Sequence, residues 1–162
     1  IIYDSLRGPK QMLRPNLSDA DTYTVNGLQS FDADGVTLGS EGNHTHFTAG
    51  VLWCWKAGNG SVENTDGTIA STVSVNQNAG FSIVKYTGTD AAETIGHGLT
   101  QAPEFILLKP LDTANSWVTY DRLNGGTNYM ALQETQATGA ATSRWNDTDP
   151  TSTVFSVIYG FL

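Results

Sequence analysis

Apolar residues along this chain fall in short runs, not at helical intervals. Almost no stretch repeats apolar side chains at i, i+3, i+4 and i+7, while runs rich in Val, Ile, Phe, Tyr and Trp are separated by Gly, Asn, Asp, Ser and Thr. The spacing predicts strands at Ile1–Tyr3, Gln11–Arg14, Gly35–Leu38, Phe47–Trp55, Ile69–Val75, Phe81–Tyr86, Glu104–Leu108, Trp117–Tyr120, Tyr129–Leu132 and Val154–Phe161. The pairs Asp34-Gly35, Asn59-Gly60 and Asp66-Gly67 and the triplets Gly88–Asp90 and Asn124–Gly126 accept positive φ cheaply, as tight turns require. In Phe81–Tyr86 the residues Phe81, Ile83 and Lys85 alternate with Ser82, Val84 and Tyr86, a period of two that fits a strand covered on at least one face. The expected fold is all-β, an antiparallel β-sandwich of jelly-roll-like kind. Its expected core is Trp53, Trp55, Phe81, Ile83, Phe105, Leu107 and Trp117.

The chain also echoes itself. IIYDSLRG at 1–8 and VTYDRLNG at 118–125 share Tyr, Asp, Leu and Gly in the same spacing, and each is followed by a strand containing Met12 or Met130. Further on, SFDADGVTL at 30–38 sits where the second copy has RWNDTDPTSTVF at 144–155. These segments read as two diverged copies of one element. A single domain over 1–162 is expected, with residues 1–56 as the later part of one repeat unit and 57–162 as the earlier part of the next. Such an arrangement would account for Ile, not Met, at position 1.

Composition narrows the partners. With 16 acidic against 8 basic residues the formal charge is −8, and no basic cluster offsets it, so a phosphate backbone would be repelled and no nucleic acid is expected. The longest apolar runs, VLWCW at 51–55 and FILL at 105–108, are far short of the ~20 residues of a spanning helix, so no membrane insertion is expected. Cys54 is alone, which excludes an intrachain disulfide and a Cys-rich zinc site. The first residues lack the basic and apolar regions of a signal peptide.

Several side chains invite a chemical reading. His97 stands between two glycines, with no Ser, Cys or paired carboxylate in a nucleophile motif nearby, so it reads as a turn whose ring bonds a neighbouring carbonyl. His44 and His46, two apart, would point to one face of an extended chain. Two ligands make no closed site, but a threefold axis would gather six nitrogens around a first-row transition metal; otherwise no cofactor is expected. Asp32, Asp34 and Gly35 begin a calcium-loop pattern without its distal Glu and read as a turn. Asp19, Asp21, Asp147 and Asp149 could pair for glycoside hydrolysis only if the fold brought them together. The Asn-x-Ser/Thr triplets starting at Asn16, Asn43, Asn59 and Asn146 follow from an Asn/Thr-rich composition. Trp117, Trp145, Tyr23 and Tyr129, near polar loops, are candidates for stacking on sugar rings.

VLWCWKAG (51–58), NTDGTIASTVSV (64–75), AGFSIVKYTG (79–88), IGHGLTQAP (95–103) and SWVTY (116–120), in that order, resemble a β-rich domain of tail-fibre and other virion structural proteins of marine bacteriophages. FDADGVTLG (31–39) resembles the later part of the same repeating unit. NHTH (43–46) departs from that pattern and is similar to His-x-His segments of trimeric phage fibres. The resemblance implies a non-enzymatic structural role at the virion surface, in a fibre, spike or capsid decoration that meets the host. The implied partners are further copies of the chain, three being the expected number, and other virion proteins. Two alternatives remain: a carbohydrate-binding module for host surface glycans, and a polysaccharide depolymerase.

Overall fold

A computed structural model describes residues 1–40, 49–140 and 144–158. Among them the fold is all-β, with no helix: β1 (Gln11–Met12), β2 (Thr22–Tyr23), β3 (Leu28–Phe31), β4 (Val36–Leu38), β5 (Val62–Asn64), β6 (Ser71–Asn76), β7 (Phe81–Tyr86), β8 (Glu93–Gly96), β9 (Phe105–Leu108), β10 (Val118–Asp121), β11 (Asn128–Ala131), β12 (Gly139–Ala140) and β13 (Val154–Val157). The largest sheet has the order β12-β11-β10-β9, a second runs β5-β6-β7, and β1-β2, β3-β4 and β13-β8 form pairs. Every strand pairing is antiparallel, as expected of short strands joined by tight turns. The sheets stack in a sandwich-like arrangement.

The core lies between them. Ile95, Val118, Tyr120, Trp145, Phe155 and Val157 form one buried cluster, against which Ile69, Val84, Tyr86, Ile106, Leu108 and Tyr129 pack. Met12, Leu13 and Leu28 are buried in the N-terminal part. Trp117 joins the two regions: it is buried, and its indole Nε1 donates to the carbonyls of Arg14 (2.9 Å) and Leu17 (3.1 Å).

Three expectations are corrected. Residues 49–55, the described part of the expected strand Phe47–Trp55, form no strand, and Trp53 and Trp55 are 74% and 65% exposed instead of buried. In β9 the inward residues are Ile106 and Leu108, while Phe105 and Leu107 face solvent. In β7 the core takes Val84 and Tyr86, not Phe81 and Ile83. Both strands are apolar on both faces, so alternation alone does not say which face turns inward, and a one-residue slip exchanges them.

The echo in sequence has a counterpart in pairing. In the first copy Ile2 bridges Leu13, Met12 pairs with Thr22, and Gln11 pairs with Tyr23. In the second copy Thr119 pairs with Met130, Tyr129 with Gly139, and Asn128 with Ala140. One constant interval in sequence carries each member onto its counterpart. The turns match as well. Asp4 Oδ1 accepts the amides of Leu6 and Arg7, and Asp121 Oδ1 accepts those of Leu123 and Asn124. Gly8 and Gly125 then donate to the carbonyls of Asp4 and Asp121, both at 3.0 Å, with φ of 91° and 68° that suit glycine.

Candidate functional site

His97 sits at the end of β8, buried, with its ring fully engaged. Nδ1 accepts the Leu99 amide at 3.1 Å and Nε2 lies 3.2 Å from the Thr151 carbonyl, so the ring is neutral with its proton on Nε2. Burial holds its pKa below the ordinary histidine value, against the opposing pull of the Thr151 carbonyl and the Asp66 charge. The flanking glycines serve the packing. A Cβ on Gly96 would collide with the Asn64 side chain, and Gly98 has φ +72°. Ser71 Oγ and Ser82 Oγ donate to the carbonyls of Gly96 and His97, both at 2.7 Å, and fasten this corner under β6 and β7. This is the turn read from the sequence.

Three of the four carboxylates weighed for hydrolysis, Asp19, Asp21 and Asp149, are engaged by other partners. Asp19 accepts Arg14 at 2.8 Å and Asp21 accepts Arg7 at 3.0 Å. Asp149 Oδ1 accepts the Gly126 amide at 2.6 Å and the Tyr120 hydroxyl at 3.3 Å. Asp32 uses both oxygens within its hairpin, accepting Ser30 and Thr37 at 2.8 Å each. Among the described residues no group of three or more His, Cys, Asp or Glu side chains could hold a metal. His44 and His46 lie outside the described residues.

Of the four aromatics singled out for sugar stacking, only Tyr23, on β2, is exposed. Trp117 is held by its indole as above. Trp145 is 1% exposed and packs edge-on against Tyr120, so neither indole presents a face to a ligand. Tyr129 is half-buried, with the Arg144 guanidinium 5.3 Å over its ring. Trp53 and Trp55 are more exposed still, in a segment where Val51 and Leu52 are also exposed. Trp53 meets Trp55 edge to face at 6.3 Å, and Trp55 stacks on Phe81 of β7 at 6.5 Å. The segment is held at its C-terminal end by Lys56, whose carbonyl accepts Asn76 Nδ2 at 3.1 Å, and by Gly58, where a Cβ would press on the Val75 backbone. Beside it runs an open groove of about 610 Å³ lined by Lys56, Asn59, Val75, Asn76, Gln77 and Asn78. An aromatic platform next to amide side chains can stack on a flat apolar face and bond hydroxyl groups. The alternation rule hid this site: a run such as VLWCW reads as core unless something marks it as uncovered.

One family profile, a domain of unknown function (DUF7483), matches residues 1–160. The chain belongs to the DUF7483 family. No curated protein and no solved structure matches it significantly. For the DUF7483 domain, then, function must be read from its surfaces.

Proposed function

We propose that this chain is a non-enzymatic structural module of a bacteriophage virion, a fibre, spike or capsid-decorating element that assembles as a homo-oligomer of three chains and takes part in host attachment. The observation that carries the reading is the apolar ribbon Val51, Leu52, Trp53 and Trp55, exposed in the single chain and continued by its stacking on Phe81. Contiguous apolar surface of this kind marks a protein contact. The ordered resemblance to virion proteins supports the same reading, and with it a place on the particle surface. Native mass measurement at micromolar concentration tests it. Trimers are expected for the unsubstituted chain and monomers for a Trp53→Ser/Trp55→Ser variant. A stable monomer for the unsubstituted chain overturns the proposal.

A second reading, a module that binds host surface glycans, is favoured by Trp55 stacked on Phe81 beside a groove lined by Asn59, Asn76, Gln77 and Asn78. Amides at the rim of an aromatic platform supply both donors and acceptors for sugar hydroxyls. A glycan array is the test. Binding that is lost in Trp55→Ala supports this reading, and signal at background for every glycan removes it.

A further inference from the structure

The two copies of the repeated element differ along one edge. In the second copy β9 covers the outer side of β10, with Leu108 opposite Val118, Leu107 opposite Thr119, Ile106 opposite Tyr120 and Phe105 opposite Asp121. Arg122 continues the contact by donating its amide to the Glu104 carbonyl at 2.9 Å, while on the opposite side the Trp117 carbonyl accepts the Leu132 amide at 3.1 Å. Backbone groups alternate in direction along a strand, so Val118, Tyr120 and Arg122 face β9, and Trp117 and Thr119 face β11.

Ile2 holds the place of Thr119 in the first copy, and both of its backbone bonds go to Leu13, at 2.9 and 3.0 Å. Ile1, Tyr3 and Ser5 therefore face the other way, as Val118, Tyr120 and Arg122 do. No backbone partner meets them there among the described residues. The stretch also lacks the usual protections of a bare edge: Ile1–Ser5 contains no Pro and no Lys, and its one charged side chain, Asp4, is held by Arg7.

We propose that Ile1–Ser5 is a strand acceptor. It takes an extended segment from another copy of this repeat unit, with the apolar character of Phe105–Leu108, lying antiparallel. The register follows from the second copy: the residues corresponding to Leu108, Leu107, Ile106 and Phe105 come opposite Ile1, Ile2, Tyr3 and Asp4. Ser5 then donates to the carbonyl that corresponds to Glu104. Main-chain bonds supply the attachment and the apolar side chains the selectivity. The proposal does not depend on the virion reading or on three chains.

The probe is a synthetic peptide spanning residues 103–109 with a solubilising lysine tail, added to the full chain. It is compared with one form N-methylated at the positions of Ile106 and Leu108 and another N-methylated at those of Phe105 and Leu107. In the proposed register only the first pair of amides faces the acceptor. Expected are binding by the unmodified and the 105/107-methylated peptides, with amide exchange at Tyr3 and Ser5 slowed at least tenfold, and binding at least tenfold weaker for the 106/108-methylated form. Absence of binding, equal binding by both methylated forms, or slowed exchange confined to Phe105 and Leu107 of the chain would each overturn it.

Discussion

The turn that follows Tyr3 and the turn that follows Tyr120 are built on the same aspartate and the same glycine, but where one places Arg7 the other places Asn124. Arg7 is drawn inward. Its side chain is 5% exposed, bonded to Asp4 and Asp21 and to the carbonyls of Gln11 and Ile2. Asn124 stays at the surface and bonds only locally, to Asp121 Oδ2 at 2.6 Å, beside a Leu123 that is 98% exposed. The difference follows what lies against each copy. The second copy has β9 on its edge and the main apolar cluster against Val118 and Tyr120. The first has a smaller set of apolar neighbours and closes on a shielded guanidinium with two carboxylates. One three-strand pattern is thus held in two ways, by apolar burial in one place and by a charge network in the other.

Substitutions can separate the two. Trp145→Ala, which empties the largest fully buried side chain, should lose about 3–5 kcal/mol in urea unfolding. Close behind, Arg7→Met should lose about 3 kcal/mol, because Asp4 and Asp21 would keep their charges without the shielded guanidinium that bonds both. Asn124→Ala, the matched change in the second copy, should lose about 0.5 kcal/mol, as exposed substitutions usually do. Equal losses for Arg7→Met and Asn124→Ala would erase the distinction. Smaller again is Tyr120→Phe, which removes only the hydroxyl bond to Asp149 within a ring that stays packed, and should lose less than about 1 kcal/mol.

Stability should also fall at both ends of the pH scale, for reasons located in the second half of the chain. Burial keeps the His97 pKa below its unfolded value, so the unfolded chain takes up the proton first. Stability is complete above about pH 6.5 and is lost as pH falls from there through the folded pKa. Tyr120 is pushed up to about 12 by burial and then by Asp149, and Tyr86 to about 12 by burial. These tyrosines keep their protons longer in the fold, so the stability they contribute is present below pH 10 and is lost between 10 and about 12. Unfolding midpoints measured across pH check both limbs, and His97→Gln should flatten the acid one.

Much of the architecture was legible in the sequence, because Val- and Ile-rich runs set between Gly, Asn and Asp can hardly be anything but strands. Phe81–Tyr86 and Glu104–Leu108 were placed within a residue, yet their inward faces were assigned to the wrong parity, since Phe81 and Val84, or Phe105 and Ile106, are equally apolar. β2, β3, β5, β8 and β12 lie outside the expected strands; Val62–Asn64 and Glu93–Gly96, for instance, carry polar residues and turn chemistry, and gain strand geometry from their partners β6 and β13. The His97 turn was readable from its glycines. Trp117 was legible as core and is buried, whereas Trp145 was not separable from surface aromatics by its polar sequence neighbours, and the Arg7 network needed the fold to bring Asp21 beside a turn fourteen residues earlier. The spacing of Asp4 and Arg7 across one turn was the available signal for it.

The most direct test of the paired-copy account is amide hydrogen exchange across the two turns of the unmodified chain. Ile2 and Leu13, which bond each other, should be protected in the first copy, and Tyr120 and Arg122, which face β9, in the second. With no donor segment bound at Ile1–Ser5, Tyr3 and Ser5 should exchange at least a hundredfold faster than Tyr120 and Arg122. Equal protection at the two sets would contradict the account.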